Sequence, residues 1–289
     1  MTPVVTAHSQ DILGEGPVHD IGDGSLRWVD IGRSLWHRLD LVSGQVTTLN
    51  VEPALTAFAP TDSGDYIGAF VSGLARLDGQ GRRRAWIAQP EAGLVTNRFN
   101  DAGTDPKGRL IAGTMNMQDG APTGALYSLS GKDLALLRPG VGIANTIAFS
   151  PDGSRFYTAD SAKGELAAFA YDVETGRIGP RIESFRPDPG LPGVPDGSAV
   201  DSEGCLWNAR WDGGCVVRLA PDGTTLAKVD LPVKLPTSCC FVGTLLYITT
   251  STWAFTEADH RAQPLAGHLL CIDVNVTGQP RPRFTTAGT

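Results

Sequence analysis

The chain has 289 residues, 41% hydrophobic and 19% charged, with a formal net charge of −7. That composition suits a globular protein with a sizeable core, and the acidic balance excludes nucleic acid as a partner, because no basic stripe is present to displace phosphate counterions. No apolar run reaches the length of a membrane span, and the N-terminal MTPVVTAHSQD lacks the charged and apolar regions of a secretory signal, so a cytoplasmic protein is expected.

Glycine (35) and proline (20) are spread along the chain, and helix-favouring charged runs are missing. This is the pattern of many short strands joined by tight turns. The first strand is expected around VVTAH (4–8). ILGEGPV (12–18) follows, with Glu15 between two glycines. Glu15 is either a solvated turn residue or a side chain aimed into a site.

A unit then recurs: a turn with Asp or Gly, followed by a short strand of alternating apolar residues. It reads DGSLRWVDI (23–31), SGDYIGAF (63–70), KGRLIAGT (107–114), DGSRFYTAD (152–160), EGCLWNAR (203–210) and VGTLLYITT (242–250). Its glycines are Gly24, Gly64, Gly108, Gly153, Gly204 and Gly243, in steps of 40, 44, 45, 51 and 39 residues. Each unit precedes a second hairpin: 35–49, 74–87, 125–137, 166–179, 216–229 and 269–284. The basic triplet Arg82, Arg83 and Arg84 falls beside Gly81 in one of these and reads as an exposed turn. Six repeats of about four strands each predict a single all-β domain over 1–289, a six-bladed β-propeller with four-stranded blades. The ring is expected to close by pairing the N-terminal strand with the last blade, since an open edge is a liability.

The innermost strand of each propeller blade runs along the central channel. Counting eight residues back from the repeat glycine gives Thr56, Asn100, Asn145 and Asp196. The first blade has a turn one residue longer, and nine residues back is Glu15. The sixth has a shorter turn, and the register falls near Thr237 and Ser238. Any one of these is most simply a local turn residue. Two carboxylates and two amides at matched register in four blades are costly unless they bind something. Their ligating atoms are all oxygens, which favours calcium, magnesium, manganese or zinc.

Other chemistries find no support. No GxSxG elbow and no HExxH appear. His8, His19, His37, His260 and His268 lie off the register and read as surface or structural residues. The five cysteines are Cys205, Cys215, Cys239, Cys240 and Cys271, with no CxxC pair, and they read as reduced, buried apolar positions.

The pieces ILGEGPV, NRFNDAGTDPKGR (97–109), AGTM (112–115), SPDG (150–153), PDGSAVDSEGCLW (195–207) and TSCCF (237–241), in that order, resemble the SMP-30/gluconolactonase/luciferin-regenerating-enzyme family over essentially the whole chain. The resemblance implies a six-bladed propeller, one catalytic divalent metal ion (Ca, Zn, Mn, Mg or Fe(II)) and hydrolysis of sugar lactones to aldonic acids. It implies metal ligation by Glu15, Asn145 and Asp196, and substrate contact by Arg98 and Asn100. Arg98 enters only through the resemblance, although alternation keeps it on the face of Asn100. Two departures stand out. Thr146 follows the metal-binding asparagine where the family usually has glycine, and Gln118, in NMQDGAPTG (116–124), takes the place of a glutamate of animal relatives. The second bears on which sugar is bound, and its segment reads as a loop over the channel mouth.

Lactone hydrolysis needs an activated water and a stabilised oxyanion. A bound cation supplies both, as Lewis acid and by lowering the pKa of a water. Asp196 is the candidate general base. Arg98, Asn100 and Gln118 are the substrate-binding candidates, and Arg98 also steadies developing negative charge. The rival readings are a related metal-dependent hydrolase acting on another lactone, ester or phosphotriester, and a non-enzymatic metal-binding regulatory propeller. No long apolar edge is present, so a monomer or weak homo-oligomer is expected.

Overall fold

The computed structural model describes residues 2–286. Their strands form six four-stranded antiparallel sheets, the blades of a six-bladed β-propeller. β1 (Val4–Ala7) stands apart in sequence from the first blade, β2 (Gly14–Asp20), β3 (Ser25–Asp30), β4 (Leu35–Asp40) and β5 (Val46–Asn50). The second blade is β6 (Leu55–Pro60), β7 (Tyr66–Phe70), β8 (Gly73–Leu77) and β9 (Arg83–Ala88). The third is β10 (Asn97–Thr104), β11 (Leu110–Asn116), β12 (Gly124–Ser130) and β13 (Asp133–Val141). The fourth is β14 (Ala144–Phe149), β15 (Arg155–Asp160), β16 (Glu165–Asp172) and β17 (Arg177–Arg181). The fifth is β18 (Val194–Val200), β19 (Leu206–Trp211), β20 (Cys215–Leu219) and β21 (Thr225–Asp230). The sixth is β22 (Pro236–Val242), β23 (Leu245–Thr250) and β24 (Leu269–Asp273), and its fourth strand is β1.

The closure expected from VVTAH is therefore present: Val4 pairs with Cys271 and Val5 with Leu270. The second hairpin expected over 269–284 is not. After β24 the chain turns away at Asn275, which has φ 57°, and its N–H donates to Asp273 Oδ1 at 3.0 Å. Pro280 and Pro282 lack the N–H that a ladder needs, and the edge of β24 is already taken by β1. Between β23 and β24 lies α1 (Glu257–Ala262), closed by a capping box between Thr256 and Asp259, an element the repeat pattern did not announce.

The described chain divides into two compact units: one runs to Asn50 and resumes at Arg186–Gln279, the other comprises Val51–Phe185 and the chain from Pro280. The first has cores around Trp28, Leu39 and Leu269 and around Trp207, Val216 and Ile248. The second packs Ile67, Phe99, Leu110 and Phe284 in one cluster and Phe149, Phe156 and Tyr171 in another. Burial falls from the inner to the outer strand of a blade. β3, β6 and β7 are buried throughout, whereas β5, β17 and β21 are mostly exposed and β9 is exposed over its first half. Charged outer strands also blunt the sheet edges. Arg82, Arg83 and Arg84 lie there, exposed, with Arg82 and Arg84 paired to Asp78.

The repeat glycines hold the hairpins that join first and second strands. All six have positive φ, from 60° at Gly243 to 89° at Gly64, a region other residues enter only with strain. In the third and fifth blades the residue three positions earlier caps the turn. Asp105 Oδ1 accepts from the Lys107 and Arg109 amides at 2.9 Å, and Asp201 Oδ1 from Glu203 and Cys205 at 3.0 and 2.9 Å.

Every innermost strand also carries a bulge at one register. The ladder gains one residue between Glu15 and Val18, Leu55 and Ala57, Phe99 and Ala102, Asn145 and Ala148, Pro195 and Ser198, and Pro236 and Ser238. A bulge leaves its residue outside the ladder and re-aims side chains. The polar residues counted back from the glycines sit at or inside these bulges.

Candidate metal and substrate site

In the unit built on Val51–Phe185, Arg98, Asn100 and Asn145 form one hydrogen-bonded series. Arg98 Nη1 donates to Asn100 Oδ1 at 2.7 Å and to the Phe99 carbonyl at 2.9 Å. Asn100 Nδ2 donates to Asn145 Oδ1 and to the Ala144 carbonyl, both at 2.9 Å. Asn145 Nδ2 donates to Ser161 Oγ at 2.9 Å, and Thr158 Oγ1 donates to the Asn145 carbonyl at 3.3 Å. Asn100 and Asn145 are buried and Arg98 is half-buried. Every donor of this network has a direction, so the Asn145 amide oxygen is fixed. It accepts one hydrogen bond, from Asn100, and has a second lone pair.

Asp101, beside Asn100, fastens the same two blades. Its carboxylate accepts from the Ala102 amide at 2.8 Å and the Ile147 amide at 3.3 Å. Burial pushes its carboxyl up, against the pull of Arg281 and of the amides of Ala102, Ile147 and Thr146. Thr146 is fully buried with φ 55°, and Gly16, the residue after Glu15, has φ 53°. The bulges of these two strands thus place a left-handed residue just after Glu15 and Asn145, whereas Gly197, after Asp196, is not left-handed. Glycine serves at the first of these left-handed positions, and Thr146, β-branched, occupies the second under strain.

In the other unit, Glu15 lies on β2 and Asp196 on β18. Glu15 is half-buried, and its Oε2 accepts from the Gly16 amide at 3.1 Å. A Cβ on Gly14 would meet the Thr250 carbonyl at 2.7 Å and Asp11 Oδ2 at 2.8 Å, so the glycine before Glu15 is there for close approach. Asp196 is buried, and its carbonyl accepts from Asn208 Nδ2 at 3.0 Å. A Cβ on Gly197 would meet Ser238 Oγ at 2.1 Å and Ser238 Cβ at 2.5 Å, so β22 packs directly on the Asp196 bulge. Thr237 Oγ1 in turn donates to the Gly14 carbonyl at 2.5 Å and lies 2.8 Å from the Thr249 hydroxyl, from which it can accept.

Among the described residues no three of His, Cys, Asp and Glu gather to hold a metal ion. The donor chemistry of Glu15, Asn145 and Asp196, two carboxylates and an amide oxygen, suits a hard divalent ion. Thr56, at the same register, is spent otherwise, donating to the Ala69 carbonyl at 3.0 Å.

Gln118 stands apart. It is exposed on the loop between β11 and β12, with its amide on Asn116 Oδ1 at 2.8 Å, and among the described residues its side chain makes no hydrogen bond to Arg98, Asn100 or Asn145. Its neighbour Met117, with Leu94, Val95, Gln89 and Arg98, instead lines a cavity of about 390 Å³. Glu91, also in that wall, accepts from Thr114, Tyr127 and Asn97 at 2.8, 3.0 and 2.9 Å and ties down the loop before β10. Burial and this carboxylate push the Tyr127 phenol far above its ordinary range. All five cysteines are free and buried. Of the histidines, His37 is buried, with Nε2 3.0 Å from Asp11 Oδ1 and Nδ1 2.9 Å from Thr48 Oγ1. Ser161, Asp101, Asn208 and Glu91 carried no sequence signal of a site; their roles appear only through contacts on other strands.

The chain is 37% identical to 6-deoxy-6-sulfogluconolactonase of Pseudomonas putida over 279 residues, 94% of this chain and 95% of the relative. It is 36% identical to a pentonolactonase of Haloferax volcanii over 282 residues, 94% of each. Among solved structures, the calcium-binding protein regucalcin of Agrobacterium tumefaciens superposes with a TM-score of 0.90 at 30% identity, covering 98% of this chain and 96% of that one. Residues 13–252 match the SMP-30/Gluconolactonase/LRE-like region. With a six-bladed fold, the bulged register and these likenesses together, the chain belongs to the SMP-30/gluconolactonase/LRE-like family.

Proposed function

We propose that this protein hydrolyses a sugar lactone to its aldonic acid, using one divalent cation shared by Glu15, Asn145 and Asp196. The observation that carries the reading is the series Arg98–Asn100–Asn145, in which each polar group orients the next. Two lactonases among the relatives of this chain support the substrate class. The oxygen-only donor set suits calcium, magnesium or manganese, and a calcium-binding protein among the relatives favours calcium.

When bound, the cation supplies Lewis-acid polarisation of the lactone carbonyl. The residues of the chain do the rest. Asn145 presents a fixed amide oxygen, held by Asn100 and Ser161. Asp196 accepts the proton of the attacking water at a carboxylate oxygen. Arg98 and Asn100 orient the lactone, and the guanidinium offsets negative charge as the carbonyl becomes tetrahedral. Gln118, exposed on the loop between β11 and β12, is the remaining substrate-binding candidate.

The test is hydrolysis under metal control. The protein is stripped with chelator and resupplied with Ca, Mg, Mn, Zn or Fe(II) in turn. Acid release from D-xylono-, L-arabinono- and D-glucono-lactones is followed, with Asp196→Ala as control. Metal-restored turnover that Asp196→Ala abolishes is expected. Metal binding with no lactone turned over would move the site to another ester or phosphotriester; no metal binding would remove the reading.

A further inference from the structure

Arg210 on β19 is a buried cation, 5% exposed. Its guanidinium donates only to neutral acceptors: Nε to the Pro192 carbonyl at 2.9 Å, Nη2 to the Gly193 carbonyl at 2.9 Å, and Nη1 to Asn208 Oδ1 at 3.2 Å. Among the described residues no carboxylate pairs with it, and burial pulls its pKa down. A buried unpaired charge is costly, and an apolar side chain of similar volume would fill the space without that cost. The rigid fork must therefore do something that packing would not.

What it does is visible in its partners. Pro192 and Gly193 form the turn that feeds β18, the strand of Asp196. Asn208, fully buried, is held by Arg210 through its Oδ1, which points its Nδ2 at the Asp196 carbonyl and Ser198 Oγ, each at 3.0 Å. One guanidinium thus braces the stretch 192–198 from the turn before it and, through Asn208, from the middle of the bulge. We infer that Arg210 is a positioning residue that, through Asn208, fixes the backbone of Asp196 so that its carboxylate stands ready for a divalent cation. The inference rests on the metal reading above and adds the residue that holds the ligand in place.

The test is calorimetric titration of Mn²⁺ into the chelator-stripped full chain, alongside circular dichroism and thermal melts. The wild type is expected to bind one Mn²⁺. Arg210→Met is expected to weaken binding about 10–100-fold, the usual effect of removing a group that orients a metal ligand, while remaining folded. Arg210→Lys is expected to be as weak, since one ammonium does not span three acceptors. Asn208→Ala leaves Arg210 on the turn and is expected to weaken binding likewise; it decides the matter if Arg210→Met does not fold. Wild-type Mn²⁺ affinity in folded Arg210→Lys or in Asn208→Ala would overturn the inference alone. A wild type that binds neither Mn²⁺ nor Ca²⁺ would overturn the metal reading and the inference with it.

Discussion

The side-chain amide of Asn100 donates to the side-chain oxygen of Asn145 at 2.9 Å, so the first strands of two consecutive blades are joined by one amide-to-amide hydrogen bond. The same nitrogen also serves the Ala144 carbonyl. This makes the two asparagines unequal. Asn100→Asp removes the donor and leaves two buried acceptors facing a carboxylate; a loss of about 2–4 kcal/mol is expected, together with weaker cation binding. Asn145→Asp still accepts from Asn100, the Ser161 hydroxyl rotates to donate, and an added charge faces the cation. It is expected to stay folded and to bind Ca²⁺ or Mn²⁺ more tightly. Urea unfolding and calorimetry on both variants check the contrast, and equal behaviour would contradict it.

The candidate site was legible where its geometry is local. Counting back from the glycines reached Glu15, Asn100, Asn145 and Asp196 because every blade carries its one-residue bulge at the same place, so the offset to the turn is nearly constant. Glu15 needed one more step because the β2–β3 turn is longer, with Asp20 Oδ1 accepting from the Gly22 amide at 2.9 Å inside it. Arg98 and Asn100 share a face by strand alternation. The supporting residues were not legible. Ser161 reaches Asn145 from 16 residues away, and Glu91 reaches Tyr127 across 36. Such pairings depend on which strands become neighbours, which no local pattern states. In the sixth blade the apolar stretch of 269–284 looked like a hairpin, and only the competition between β1 and the proline-rich tail for one edge decides otherwise.

Gly197 is the tightest point beside Asp196. An added Cβ would lie 2.1 Å from Ser238 Oγ, 2.5 Å from its Cβ and 2.9 Å from its backbone α-carbon. Gly197→Ala is expected to cost about 1–3 kcal/mol, the range for overpacking. Adding Ser238→Gly removes the two closest atoms and leaves only the backbone carbon in the way, so the double variant is expected to recover part of the loss. Urea midpoints of the two singles and the double test this as a cycle; additive losses would mean the clash lies elsewhere.

Asp201 shows how a turn residue becomes a core residue. It is fully buried; besides its two turn amides it accepts from Trp207 Nε1 at 2.9 Å and from Arg218 Nε at 2.8 Å. Asp201→Ala would strand an indole N–H and leave the mostly buried Arg218 guanidinium with only the exposed carboxylate of Glu203 at 2.6 Å. The expected loss is about 3–5 kcal/mol, as when one partner of a buried pair is removed. In the fourth blade the same turn position is Ser150, whose hydroxyl accepts from the Arg155 amide at 3.0 Å. Ser150→Ala, which also loses the hydroxyl's bond to Asp152 Oδ1 at 2.6 Å, is expected to cost about 1–2 kcal/mol, the worth of two turn hydrogen bonds. Thermal and urea unfolding of the pair would show whether charge or turn geometry sets the difference.

His268 gives the fold a dependence on pH. It is buried, and its Nδ1 accepts from the Gln10 amide at 3.2 Å, which requires a neutral ring. Burial lowers its pKa below the ordinary 6.5, and the His8 ring, edge-on at 4.9 Å, lowers it further, against the pull of Asp11. Burial lowers His19 in the same direction, opposed by Asp20 and Asp23. A histidine depressed in the fold takes its proton first in the unfolded chain. Stability is therefore complete above about pH 6.5 and is lost progressively as pH falls below it, until the folded ring itself protonates. Urea unfolding at pH 7.5, 6.5 and 5.5 is expected to show a declining free energy. In His268→Gln, which keeps an acceptor for Gln10 and does not titrate, the decline is expected to be shallower. An unchanged slope in that variant would assign the pH dependence to other groups, His19 first.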